Sequence, residues 1–121
     1  MMTTQEIIQA DAEQRGADGA KAIRTMAALV KLKDGIMFRK NNSVLFLRKL
    51  DANDVELHLF TQDEPVTLAR SLVYFVQQIR NSDLRAVYGR ADNTQIIDLL
   101  RRLGVEVQAS DRENYNWMAL I

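Results

Sequence analysis

Two residues able to act as a general base stand two positions apart, Glu56 and His58, in the run Val55-Glu56-Leu57-His58-Leu59-Phe60. His58 is the only histidine of the chain, and an imidazole titrates near neutral pH, which suits a general base. Alternation puts Val55, Leu57 and Leu59 on one strand face and leaves His58 on the less buried one. Tyr74, Tyr88 and Tyr115 are the three tyrosines, each with a phenol able to donate a proton. Each is explained equally well as an aromatic that buries its ring and shows its hydroxyl to water. Glu56, His58 and Tyr88 are the candidate catalytic residues.

Other chemistries find little support. One histidine without a recognisable nucleophile turn makes no Ser-His-Asp triad. The chain has no cysteine, which removes thiolate zinc sites, cysteine nucleophiles and disulfides. Asp51 and Asp54 occupy turn positions where aspartate bonds its own backbone, and together with Asp63 and Glu64 they lack the spacing of a calcium loop. No metal is expected.

The elements that must position these residues belong to one domain. A length of 121 residues, 47% of them hydrophobic and 26% charged, suits a single core that needs no disulfide or structural metal. Sixteen basic side chains offset sixteen acidic ones, so no long-range field gathers phosphate backbones or anionic lipids. Nucleic acid and membrane partners are not expected. Neither a leader-like N-terminal pattern nor a long apolar run is seen, and the expectation is a soluble, cytoplasmic protein.

Thr3 and Glu6 have capping-box spacing and predict a helix from about Thr4 to Gln14. Asp18 caps a second helix, from about Gly19 to Lys33, with Lys31 and Lys33 in its last turn where cations complement the helix dipole. Its apolar stripe, Ile23, Met26, Ala27 and Val30, must be buried. If it is exposed, a protein partner or homo-oligomer is expected; if it lies on the sheet, a monomer. After Asp34-Gly35 the period changes to two. Ile36–Arg39 and Val44–Arg48, joined by Lys40-Asn41-Asn42-Ser43, read as a hairpin, and Val55–Phe60 extends it to a meander. Pro65 opens a helix that ends near Arg80, and Leu84–Tyr88 follows as a strand reached by a parallel crossover. Asn93 and Gly104 bracket a helix with Ile96, Ile97, Leu100 and Leu103 inside and Arg101 and Arg102 at its end. Val105–Gln108 and Tyr115–Ile121 are the last strand candidates.

From Gly35 to Ile121 this order of elements resembles the GNAT acyltransferase fold with its first strand absent. In the fifth strand and the helix after it, GNAT proteins carry an asparagine, a small residue three on, a tyrosine seven on, a glycine eleven on and then an aromatic. Here stand Asn93, Ile96, Leu100, Gly104 and Val105. The resemblance implies an α/β domain over residues 1–121, with a mixed, mostly antiparallel sheet of about six strands flanked by four helices. It further implies an acetyl-CoA pyrophosphate loop at Thr61-Gln62-Asp63-Glu64-Pro65-Val66, and Thr61, Gln62 and Asn93 are the candidate cofactor-binding residues. That stretch has no glycine to turn amides toward phosphates, two carboxylates and a proline, and the family's acid tyrosine falls at Leu100, which has no proton to give. The expectation is therefore a non-catalytic GNAT-like protein without cofactor, acting by binding a protein or as a structural component, similar to small tailed-phage proteins of this kind in the host cytoplasm or virion. The alternative is an acetyl-CoA-dependent N-acyltransferase with an atypical CoA loop.

Overall fold

A computed structural model describes residues 2–90 and 94–121, the last segment beginning with Thr94 and Gln95 in backbone only. The helices are α1 (Thr4–Gln14), α2 (Gly19–Lys31), α3 (Pro65–Arg80) and α4 (Thr94–Arg102), and the strands are β1 (Gly35–Lys40), β2 (Ser43–Lys49), β3 (Asp54–Thr61), β4 (Ala86–Gly89), β5 (Glu106–Ala109) and β6 (Trp117–Leu120). The strands form one sheet in the order β1-β2-β3-β4-β6-β5. All neighbours are antiparallel except β3 and β4, which the α3 crossover makes parallel. The mixed six-stranded sheet and four helices are those expected from the sequence.

Local chemistry sets the helix ends. Thr3 Oγ1 accepts from the Glu6 amide at 3.1 Å while Glu6 Oε1 accepts from the Thr3 amide at 2.9 Å, a complete capping box. Asp18 Oδ1 accepts from the Lys21 amide at 3.1 Å to start α2. Pro65 occupies the first position of α3, where its missing N–H costs nothing. At the end of α4, Gly104 has φ +81°. Its amide reaches Arg101 O at 3.0 Å and the Val105 amide reaches Leu100 O at 3.0 Å, the paired bonds of a Schellman ending. Asn93, expected to cap the same helix, lies outside the described residues.

α2 ends two residues earlier than expected. Lys33 takes φ +63° after the helix and repeats the Schellman pairing, with Lys33 N to Val30 O and Asp34 N to Leu29 O. It therefore terminates the helix as a left-handed residue instead of lying in its last turn.

The two sheet faces carry separate cores. α3 and α4 cover one of them, where Leu72, Phe75, Val76, Ile79, Ile96 and Leu100 pack on Leu45, Leu47, Val55, Val87, Trp117 and Ala119. α1 and α2 cover the other, where Ile7, Ile8 and Met26 meet Val44, Phe46 and Phe60, with Ile23 and Leu29 beside them. Each Val, Leu, Ile, Phe or Met among them contributes about 1.5–3 kcal/mol when fully buried. The α2 stripe is thus spent within the molecule at Ile23 and Met26, while Val30 stays 43% exposed.

β3 and β4 are joined along one end only. Their pairing covers Asp54↔Ala86, Val55↔Val87 and Glu56↔Tyr88, after which β3 runs on through Leu57–Thr61 with no strand partner on that side among the described residues. The joined end is held by charge. Asp54 is fully buried and accepts from Arg85 Nε at 3.1 Å, Arg85 Nη2 at 2.7 Å and Arg112 Nη2 at 2.8 Å, tying β3 to the residue before β4 and to the β5–β6 connection. This corrects the reading of Asp54 as a turn residue. Asp51 alone has that role, its Oδ1 accepting from the Asn53 and Asp54 amides at 3.1 and 3.0 Å.

Candidate active site

The separation of β3 from β4 opens a cavity of about 690 Å³, within the range of small-molecule sites. Leu57, Leu59, Leu68, Ile96, Leu99 and Trp117 supply apolar wall, Arg15, Arg90 and Arg102 bring cations, and Asp11, Asp63 and Asp98 bring carboxylates, of which Asp11 pairs with Arg15. The Thr61 amide turns away from β2 to donate to Asp11 Oδ2 at 2.9 Å, whereas the Gln62 amide reaches Asn42 O across the hairpin. With a strand period of two, the Leu57 and Leu59 main chain faces the opening as Thr61 does. Where pairing to β4 has stopped, that edge can bond an extended ligand.

Glu56 and His58 stand on the same side of β3 and both line this cavity. Glu56 is 3% exposed. Its Oε2 accepts from Arg48 Nε at 3.0 Å, from Arg48 Nη2 and from the Tyr115 hydroxyl at 2.8 Å, and its Oε1 lies 2.9 Å from His58 Nε2 and 3.8 Å from Arg90 Nε. The Arg48 contact follows from strand register, which sets Arg48 opposite Glu56. Burial acts to raise the Glu56 pKa, but the hydrogen bonds from Arg48 and Tyr115 and the nearby positive charge outweigh it and hold the carboxyl below its ordinary value. Burial lowers the His58 pKa against the upward pull of Glu56, with Arg48 and Arg90 adding to the lowering. The result at neutral pH is an ionised Glu56 beside a neutral imidazole. A neutral ring can give only one N–H, so the Glu56 contact makes Nε2 the donor and leaves the lone pair on Nδ1.

The other sequence candidates lie elsewhere or are engaged. Tyr88 is buried on the opposite side of β4 from Gly89, gives its hydroxyl to Asp111 Oδ1 at 2.7 Å and does not line the cavity. Thr61 lines it, but its hydroxyl pairs with Ser43 Oγ at 2.7 Å and accepts from the Asp63 amide at 3.0 Å. Gln62 bonds Gln14 on α1 and is not in the wall. Among the described residues no three His, Asp or Glu side chains converge as a metal site requires, and no helix is long and apolar enough to cross a membrane.

No protein-family model matches the chain, and no curated protein matches it. Solved structures do. The Campylobacter jejuni N-acetyltransferase PseH, determined with acetyl coenzyme A, aligns with a TM-score of 0.59 at 10% identity over 84% of this chain and 77% of its own. A Bacillus subtilis acetyltransferase determined with CoA aligns with a TM-score of 0.50 at 10% identity over 79% of this chain and 81% of its own. The fold is GNAT-like. At such identity the likeness concerns the fold alone, and no phage relationship emerges from it.

Within this GNAT-like frame the loop before α3 departs from expectation in one respect. Asp63 is turned toward the β1–β2 hairpin, where it accepts from the Asn42 amide at 3.1 Å and Ser43 Oγ at 2.6 Å. It staples the loop in place of glycine turns. Glu64 precedes α3 without capping it by a side-chain bond, so the first-turn amides of α3 are left to water or a ligand. Leu100 is buried in the core, as its apolar side chain requires. Residue types alone did not single out Arg48 and Arg90, and Tyr115, read in the sequence only as a proton donor, joins them at Glu56.

Proposed function

We propose that this chain is a CoA-dependent N-acyltransferase in which the opening between β3 and β4 takes the acyl-CoA and His58 takes the proton of the acceptor amine. The carrying observation is the Glu56–His58 pair, 2.9 Å apart, on the wall of a cavity in a fold whose structural neighbours were determined with acetyl-CoA and CoA. The residues present fit such a ligand in two of its parts. Leu57, Leu59, Ile96, Leu99 and Trp117 with the open β3 edge suit an amide-containing apolar arm, and the uncapped α3 terminus with Arg15 and Arg102 suits phosphate. Asp63 also lines the cavity, and its carboxylate is engaged by the Asn42 amide and Ser43 Oγ of the hairpin.

Acetyl-CoA, when bound, supplies an activated acyl group with a thiolate leaving group. His58 Nδ1 accepts a proton from the attacking amine as the carbon–nitrogen bond forms and the carbon–sulfur bond breaks. The same proton then passes from the imidazolium to the departing sulfur, so a tyrosine at position 100 is not required. Glu56 positions the ring through Nε2 and favours the imidazolium that forms briefly. Arg48 and Tyr115 fix Glu56 in turn.

Thiol release on acetyl transfer to a panel of amines tests this reading. His58→Gln is expected to lower the rate by about a hundredfold or more, and an unchanged rate in that variant refutes the role of His58. A second reading is favoured by Leu100 and by the glycine-free loop: a GNAT-like protein without catalysis that binds another protein or serves as a structural component, including a virion component. It is supported if no acyl-CoA binds and a protein partner does.

A further inference from the structure

A second cavity, of about 400 Å³, lies on the α1–α2 side of the sheet. It shares two wall residues, Arg15 and His58, with the cavity between β3 and β4. The imidazole therefore stands where the two meet. Its remaining wall is apolar or small, with Met26, Leu29, Phe46 and Phe60 lining it and Ala12, Ala17 and Ala22 leaving the space open. Ala17 and Thr25 are exposed and mark the mouth. No carboxylate is among the lining residues, and both charged ones are arginines: Arg48 is engaged by Glu56, and Arg15 pairs with Asp11 and lies over the Phe60 ring, 5.4 Å from its centroid.

We infer that this second cavity selects the acceptor, and that the acceptor is a primary amine carried on an uncharged apolar body, such as an arylalkylamine. The inference rests on the acyltransferase reading for the chemistry at His58. Beside the shared wall, the ionised Glu56 attracts the reacting ammonium, which gives its first proton to solvent, and His58 Nδ1 takes the second as the amine attacks. Beyond that point the ligand meets hydrocarbon, aromatic faces, the Thr25 hydroxyl and arginines. An apolar body gains by leaving water there. A polyamine would bring a second ammonium against walls that are largely apolar and carry no carboxylate to pair with it, which is unfavourable. The wall thus discriminates by the cost of desolvation as well as by attraction.

The test is a titration of the full chain, labelled at its methionine methyl groups, with 2-phenylethylamine and separately with spermidine, with and without acetyl-CoA. Phenylethylamine is expected to move the Met26 methyl resonance saturably, and spermidine to leave it in place. Thr25→Phe, which narrows the mouth from an exposed position and so spares the core, is expected to weaken phenylethylamine by about tenfold. Ala22→Leu, inside the cavity, is expected to act in the same direction. Spermidine binding as well as phenylethylamine, or a Met26 resonance that phenylethylamine never moves, overturns the inference. A parallel titration with acetyl-CoA separates the two proposals. Acetyl-CoA binding without phenylethylamine binding overturns the acceptor assignment and leaves the acyltransferase reading standing, and the reverse result removes the acyltransferase reading and the acceptor role with it.

Discussion

Replacing Gly89 with alanine tests whether the wall between β4 and β6 is packed as described. A Cβ built at Gly89 falls 2.1 Å from Trp117 Cε2 and Cζ2 and 2.6 Å from its Nε1. Carbon atoms rest at about 3.5–4.0 Å, so the indole would have to withdraw by roughly 1.5 Å from a place where it is nearly fully buried. Overpacking strain is typically about 1–3 kcal/mol, and a ring driven partly from the core loses contact as well. The expected cost is about 3 kcal/mol, which for a chain of this length corresponds to a fall in Tm of about 10 °C. Thermal unfolding by circular dichroism measures the fall. Trp117 is the only tryptophan, so a red-shifted emission reports its displacement directly. In a Trp117→Leu background the same alanine should cost much less, because the colliding ring is gone. A Tm within about 2 °C of the parent, or an equal penalty in both backgrounds, refutes the packing argument.

Three further outcomes are expected. Lys33→Gly should stabilise the chain by about 1 kcal/mol, since glycine adopts φ +63° without the Cβ clash that lysine carries there; urea unfolding measures it, and a loss of stability contradicts the cap reading. Asp54→Ala should cost about 2 kcal/mol by the same assay, because three charge-assisted hydrogen bonds are lost while Arg85 and Arg112 can return to water. Acid should weaken the fold in two stages. The folded pKa of His58 lies below its ordinary 6.5, so stability is lost as pH falls from about there toward the folded value, and Glu56 and Asp54, also lowered, add a second loss below their ordinary 4.5 and 3.8. Stability that holds constant from neutral pH down to about 4 contradicts these environments.

Which features were legible in the sequence follows from how local their causes are. Capping at Thr3, Asp18 and Gly104 depends on residues three or four positions away, and those helix ends were readable. Alternation revealed the hairpin and β3 for the same reason. Glu56 was recognised as a base candidate, but its surroundings were not, because Arg48 reaches it by cross-strand register and Tyr115 by a contact spanning 59 positions. Asp54 misled for a related reason. Aspartate in Asp51-Ala52-Asn53-Asp54 carries a strong turn signal, whereas its burial comes from Arg85 and Arg112, which no local pattern announces. Lys33 broke a propensity rule, since lysine offers no hint of a left-handed backbone. The separation of β3 from β4 is a matter of where pairing stops, and β4 is too short for periodicity to mark its end.

The central claim is that the opening between β3 and β4 holds an acyl-CoA. Isothermal titration of the purified chain with acetyl-CoA addresses it most directly. The account predicts saturable binding in the micromolar range, weakened at least severalfold by Arg102→Ala and by the displaced ring of Gly89→Ala. No heat at millimolar acetyl-CoA would contradict it and would leave a GNAT-like fold whose cavity serves another purpose.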